Sequence, residues 1–227
     1  YGAVIQPIYQ TSTYAQQDAG VFKEFDYTRC GNPNIATLEG VMADLEGGKH
    51  GFNFASGMGA LTTMSLALLK PGDHIIVGDD VYGGTFRFYT KVFSHFNVDI
   101  EFIDMTSIDN IRQAIKPNTK LIYLETPTNP LLKLIDIEAA VALAKEHNIT
   151  TCVDNTFASP YLQRPFDYGA DIILHSTTKY IGGHSDVVGG SLVLRDDTYH
   201  DAIRFHLNSI GTNSDPVSYT HLRAHET

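Results

Sequence analysis

Lys179 lies in the run His175-Ser176-Thr177-Thr178-Lys179-Tyr180, directly after the apolar stretch Ala170-Asp171-Ile172-Ile173-Leu174. That stretch reads as a buried strand, so the run occupies a strand end. Ser176 and Thr178 set hydroxyls just ahead of the amine, and Gly182-Gly183 follow it. A lysine amine forms a Schiff base with an aldehyde, and hydroxyls donate to phosphate oxygens. Pyridoxal 5'-phosphate (PLP) carries both groups and suits this run. Taken alone, a solvated surface lysine explains it equally well, so partners elsewhere in the chain must decide.

Several such partners fall at other expected strand ends. Asp154 closes Thr151-Cys152-Val153-Asp154. A carboxylate there can pair with a pyridine nitrogen, keep it protonated and make the ring a better electron sink; a turn or cap aspartate is the plainer reading. Ser56-Gly57-Met58-Gly59-Ala60 joins a strand to a helix, where small residues and the helix N-terminus favour an anion at the Gly57 and Met58 amides. The turn lacks the full glycine patterns of nucleotide-binding loops. Tyr82, in Asp80-Val81-Tyr82-Gly83-Gly84-Thr85, can stack on a ring and move protons, or simply pack beneath a turn. Glu125-Thr126-Pro127-Thr128-Asn129-Pro130 is a loop shaped by two prolines, with room for a cis bond, that points Asn129 at the site. Tyr27 and Arg29 alternate onto one face of an extended segment and together suit a phosphate, in their own pocket or a neighbour's. His184-Ser185-Asp186 has no third ligand at matching spacing, so no metal site is expected.

The elements that hold these residues follow from periodicity. Residues 1–33 carry no steady period and read as an extended arm. Leu38, Val41, Met42 and Leu45 share one helical face over 34–46, closed by Gly47-Gly48. Strands are expected at Phe52–Ala55, His74–Val77, Val98–Phe102, Lys120–Leu124, Ile149–Val153, Asp171–Leu174 and Gly190–Leu194. Helices are expected from Met58 to Leu69, Thr85 to Phe96, Ile108 to Ile115 and after a capping Asp136. Alternating strands and helices predict an α/β fold with a mostly parallel sheet flanked by helices, its ligand at the carboxyl ends of the strands. The 227 residues, 43% hydrophobic and 19% charged, support a globular core of that kind. A net charge of −10 argues against a nucleic-acid partner. No apolar run is long enough to span a membrane. Two cysteines, Cys30 and Cys152, form no disulfide framework and suit a reducing cytoplasm.

Six runs together resemble the Cys/Met-metabolism family of PLP enzymes, the cystathionine γ-lyase and γ-synthase group. They are Tyr27–Pro33, Phe54–Met58, Asp79–Thr85, Glu125–Pro130, Val153–Phe157 and His175–Asp186, in the family's order, and the likeness extends to about Pro216. The resemblance implies a PLP-dependent transferase-like large domain over 47–216 and an inter-subunit arm and first helix over 1–46. The chain's start at Tyr1 suggests a lost N-terminal segment, and a smaller C-terminal domain is expected to be missing. Residues 217–227 match nothing expected after Pro216 and read as a foreign tail. At matching positions, Lys179 would carry PLP and move protons, Asp154 would pair with the ring nitrogen, and Tyr82 would stack. Gly57, Met58, Ser176 and Thr178 would hold the phosphate, while Asn129 and Thr156 would line the cofactor. Tyr27 and Arg29 would reach an adjacent subunit's phosphate, making a homodimer paired into a tetramer. The implied reaction is carbon–sulfur lyase chemistry on a small sulfur amino acid: γ-elimination or replacement at the Cγ–S bond of cystathionine. Cystathionine γ-lyase stands ahead of γ-synthase and O-acylhomoserine sulfhydrylase. Gly84 replaces a cysteine typical of methionine γ-lyases and disfavours that subtype. An aminotransferase shares the sheet and the lysine but fits the Tyr82 loop and the arm less well. With its C-terminal part absent, the chain is also open to being an inactive fragment.

Overall fold

A computed structural model describes Val4 and residues 6–218. Along the chain run α1 (Pro33–Glu46), β1 (His50–Phe54), α2 (Gly57–Leu68), β2 (His74–Gly78), α3 (Gly83–Arg87), β3 (Asp99–Ile103), α4 (Ile108–Ala114), β4 (Thr119–Glu125), α5 (Ile137–Glu146), β5 (Thr150–Asp154), α6 (Ser159–Leu162), β6 (Ile172–His175), β7 (Gly190–Leu194) and α7 (His200–Ile210). Helix starts follow side-chain chemistry. Asn32 accepts the Asn34 N–H with Pro33 in the first helical position, Ser56 accepts from Gly59, and Asp136 accepts from Ala139. Gly47, at φ 74°, ends α1 in the left-handed region. Ahead of α1 the described arm holds only isolated bridges, Thr13 with Tyr27 and Asp18 with Val21.

The seven strands form one sheet in the order β1-β7-β6-β5-β4-β2-β3. Strands β3, β2, β4, β5 and β6 are mutually parallel, and β7 runs antiparallel to both β6 and β1. The expected mostly parallel sheet is therefore present. Its two faces sort by residue parity, as strand alternation requires. Ile75, Val77, Leu121, Tyr123, Cys152, Leu174 and Leu192 pack with α2, α7 and the 83–96 segment. Ile76, Ile122, Leu124 and Val153 pack with α4 and α5, and Ile173 and Val193 pack under α1. No described helix is long and apolar enough to cross a membrane.

Two expectations need correction. The single helix expected from Thr85 to Phe96 is α-helical only to Arg87, π-helical over Phe88–Val92 and 3-10 helical over Phe93–Phe96. The wider turn brings Phe88, Tyr89 and Phe93 inward together, with Phe88 and Phe93 stacked at 5.3 Å. Helix α7 had no counterpart in the sequence reading, although Ile203 and Leu207, four apart, are its buried pair. Of the tail expected at 217–227, everything past Ser218 lies outside the described residues.

Candidate active site

Strands β4, β5 and β6 stop on one line. Their register pairs Glu125 with Asp154 and Asp154 with Leu174. Parity turns all three toward α2, where a cleft of about 200 Å³ opens. Lys179, Asp154, Tyr82, Gly57, Met58, Ser176, Thr178, Asn129 and Thr156 all line it. Tyr27 and Arg29 do not. Both are exposed, the guanidinium 5.1 Å from the Tyr27 ring centroid and donating to the Asn208 carbonyl on α7. The two side chains lie side by side, and neither lines the cleft of its own chain.

One end of the cleft seeks an anion. Helix α2 begins there, and its geometry leaves the Gly57 and Met58 N–H groups without an intrahelical acceptor. The Ser176 hydroxyl has no protein partner among the described residues. Gly57 is required by proximity: a Cβ on it would lie 2.9 Å from Ser176 Cβ and 3.0 Å from Ser176 Cα. Thr178, which also lines the cleft, has its hydroxyl 3.2 Å from the Gly189 carbonyl and accepts the Gly189 N–H at 3.0 Å.

Two carboxyls gather where β4 and β5 end. Asp154 Oδ2 accepts from the Tyr123 hydroxyl at 2.8 Å, and Oδ1 accepts from Thr156 Oγ1 at 2.5 Å and Thr156 N–H at 3.1 Å. Burial, with Asp154's charge next, holds the Tyr123 phenol well above its usual range, so it remains a donor. Thr156 Oγ1 in turn accepts the Ser176 N–H at 2.9 Å, tying the carboxylate to the end of β6. Glu125, given no role in the sequence reading, is buried beside Asp154. It accepts the Tyr82 N–H at 2.9 Å and the Asn129 N–H at 3.0 Å. Burial first, then the charge of Asp154, pushes its carboxyl up to about 8. The available signal was that adjacent apolar strands, Leu121–Glu125 and Thr151–Asp154, both end in an acid. Neither acid has a cationic partner among the described residues.

Lys179 and Tyr82 line the same cleft. Lys179 sits on tight turns, its N–H bonded to Ser176 O at 3.2 Å and its carbonyl accepting from Gly183 at 2.8 Å. Tyr82 precedes α3 and is half exposed at the cleft mouth. A Cβ on Gly84 would lie 2.9 Å from the ring's Cδ1 and 3.0 Å from Met58 Sδ, so the glycine makes room for the ring. Asn129 is carried by a loop with cis bonds at Thr126–Pro127 and Asn129–Pro130. The donor set therefore fits a ligand with a cationic ring nitrogen at one end, a phosphate at the other and an amine-reactive carbon between.

Comparison with known proteins agrees with this geometry. The chain is 55% identical over 215 residues to a probable cystathionine gamma-synthase of Herpetosiphon aurantiacus, covering 95% of this chain and 67% of that protein. It is 52% identical over 210 residues to the cystathionine beta-lyase of Lactococcus lactis subsp. cremoris, covering 92% of this chain and 55% of that protein. The crystal structure of cystathionine gamma-lyase from Lactobacillus plantarum, complexed with L-serine, superposes with a TM-score of 0.95 at 46% identity, over 97% of this chain and 57% of that one. The chain thus spans between about half and two thirds of these relatives' lengths. The family described as Cys/Met metabolism PLP-dependent enzyme matches residues 1–227, and the chain belongs to that family.

Proposed function

We propose that the cleft holds PLP and that the protein acts on the carbon–sulfur bond of cystathionine, with γ-elimination at Cγ–S as the favoured reaction. The observation that carries the reading is the set of groups that one cleft collects: the unpaired Gly57 and Met58 amides and the Ser176 hydroxyl, two buried carboxyls without a cation among the described residues, and the primary amine of Lys179. Bound PLP supplies an aldehyde that condenses with amines and a ring that accepts an electron pair from the substrate's Cα. The Gly57 and Met58 amides and the Ser176 hydroxyl hold the phosphate. Asp154, oriented by Tyr123 and Thr156, accepts the ring N–H and keeps that nitrogen protonated. Tyr82 covers the ring, held by its own N–H on Glu125. Lys179 Nζ anchors the cofactor, then takes the Cα proton from the substrate. Thr178 adds its hydroxyl to the phosphate's partners, and its bonds to Gly189 fix the turn just before Lys179. Tyr27 and Arg29, exposed and outside their own cleft, serve the phosphate of a second copy.

Two relatives named for different bonds, a gamma-synthase and a beta-lyase, give the second reading: cleavage at Cβ–S. Products separate the two. γ-Elimination of cystathionine yields cysteine, 2-oxobutanoate and ammonia; β-elimination yields homocysteine, pyruvate and ammonia. The chain incubated with PLP is expected to show a visible absorbance band that Lys179→Ala abolishes, and to release 2-oxobutanoate from cystathionine. Absence of the band removes the cofactor assignment. Pyruvate instead of 2-oxobutanoate moves the reaction to Cβ, and cystathionine formed from an acylhomoserine and cysteine without keto acid makes the enzyme a synthase.

A further inference from the structure

Behind the row of Glu125, Asp154 and Leu174 lies a second row, one residue further along each strand: Thr126, Asn155 and His175. Alternation turns these toward the α1 face. Here the protein buries polar groups that the chemistry above does not use. Glu46, the last residue of α1, is fully buried, and its Oε1 lies 2.5 Å from His175 Nε2. The same oxygen accepts from Asn155 Nδ2 at 2.8 Å. Asn155 Nδ2 also donates to Gln163 O at 2.8 Å, and Gln163 Nε2 donates to Asn155 Oδ1 at 2.9 Å and to Thr126 O at 3.0 Å. One carboxyl oxygen thus closes a network across the ends of β4, β5 and β6. Those ends carry Glu125, Asp154 and the Ser176–Lys179 turn.

Packing does not ask for this acid. Helix α1 is seated by Ile35, Leu38 and Met42 on Ile173 and Val193. An apolar residue at 46 would extend that seam, whereas a buried carboxyl must recover its desolvation through partners. The network is also incomplete: Glu46 Oε2 and His175 Nδ1 are buried with no hydrogen bond.

We propose that Glu46, acting through His175 and Asn155, is a positioning residue that fixes the strand end bearing Lys179 against the strand end bearing Asp154. The claim that this alignment serves PLP rests on the cofactor reading above; the alignment itself does not. Because a single oxygen does the accepting, Glu46→Gln retains it and Glu46→Leu removes it.

Amide hydrogen exchange reads the joint directly, through Asn155 N–H, bonded to Leu174 O at 3.0 Å, and Ser176 N–H, bonded to Thr156 Oγ1 at 2.9 Å. Glu46→Leu is expected to lose about tenfold protection or more at these two amides, with the amides of β2 unchanged, and Glu46→Gln to restore it. The PLP dissociation constant is expected to rise about tenfold in Glu46→Leu and recover in Glu46→Gln, with the visible band of the loaded protein following the same order. Unchanged protection at both amides in Glu46→Leu overturns the proposal. A uniform loss across the sheet assigns Glu46 to stability alone and overturns it too. If Glu46→Leu does not fold, Asn155→Ala cuts the same network and must lower protection at Ser176 by a similar factor. A parent chain with no Lys179-dependent band defeats the cofactor reading by itself, and the exchange result still decides the positioning role.

Discussion

Asp154 and Glu125 are neighbours in one register row, yet their surroundings give them different work. Asp154 accepts from the side chains of Tyr123 and Thr156 and keeps room on Oδ2 for a further donor, and Glu125 receives only backbone N–H groups from the Tyr82 and Asn129 loops. Asp154→Asn keeps the shape and an acceptor for Thr156 but gives up the charge that holds a ring nitrogen protonated. The expected loss in kcat/KM is about 100-fold or more, roughly 3 kcal/mol of barrier, with the fold intact by circular dichroism; an unchanged rate would remove the ring-pairing role. Glu125 is tested by pH. Its folded carboxyl sits at about 8 against an ordinary 4.5. Between those values the folded chain therefore keeps a proton that the unfolded chain releases. Stability is complete below about pH 4.5 and declines as pH rises toward 8, by at most about 5 kcal/mol. Glu125→Gln retains an acceptor oxygen and is expected to flatten that decline. Urea midpoints at pH 5 and pH 8, measured on parent and variant without added cofactor, decide it; equal slopes in the two proteins would contradict the assignment.

At the start of α2 the cleft is made by one element passing very close to another, and glycine sets the closeness. Strand β7 runs past the start of α2 so tightly that a Cβ on Gly190 would fall inside the Ser56 carbonyl and 2.7 Å from the Gly57 nitrogen. Backbone cannot yield there as a side-chain tip can, so Gly190→Ala is expected to cost about 2–3 kcal/mol and to weaken PLP binding by displacing the Gly57 and Met58 amides. Thermal melting with and without PLP tests both effects; an unshifted melting temperature would show that the approach tolerates a methyl group. This joint also marks where the sequence stops being readable. Strands β4, β5 and β6 were visible as apolar runs that end in a polar residue, β3 by its alternation, α1 by its apolar face and Gly47-Gly48 stop, and α5 by its Asp136 cap. The Phe88–Val92 π turn was not, because its cause is three aromatic rings finding one pocket from distant β-strands. Helix α7 had a readable pair in Ile203 and Leu207, diluted by histidines and asparagine. In the site, Lys179 and Asp154 announce themselves by residue type at a strand end. The role of Glu125 depends on register with Asp154, and Thr178's engagement by Gly189 depends on a loop closing across eleven residues. Neither register nor closure is written in local sequence.

Tyr27 and Arg29 do not line the cleft of their own chain, and that has a consequence for assembly. Tyr27 and Arg29 form a stacked pair at the surface, held on a short antiparallel ribbon by Tyr14 N–H to Asp26 O and Thr28 N–H to Ser12 O, both 2.9 Å. A guanidinium beside a phenol suits a phosphate, and neither residue lines the cleft of its own chain. If the pair completes the cleft of a second copy, the two halves of a site can be supplied by different chains. Arg29→Ala alone leaves every cleft without its guanidinium, and Lys179→Ala alone leaves every cleft without its amine. Mixed, refolded together and loaded with PLP, they form hybrids in which the Lys179 cleft of the first receives Arg29 from the second. One competent site per hybrid is then restored, and a statistical mixture should recover about a quarter of the parent's sites. Titration of the Lys179-dependent absorbance against subunit ratio, at low PLP where Arg29→Ala alone stays empty, measures that fraction. No recovery at any ratio, with hybrid assembly verified by sedimentation, would return Arg29 to its own chain, where its bond to the Asn208 carbonyl would be its whole role.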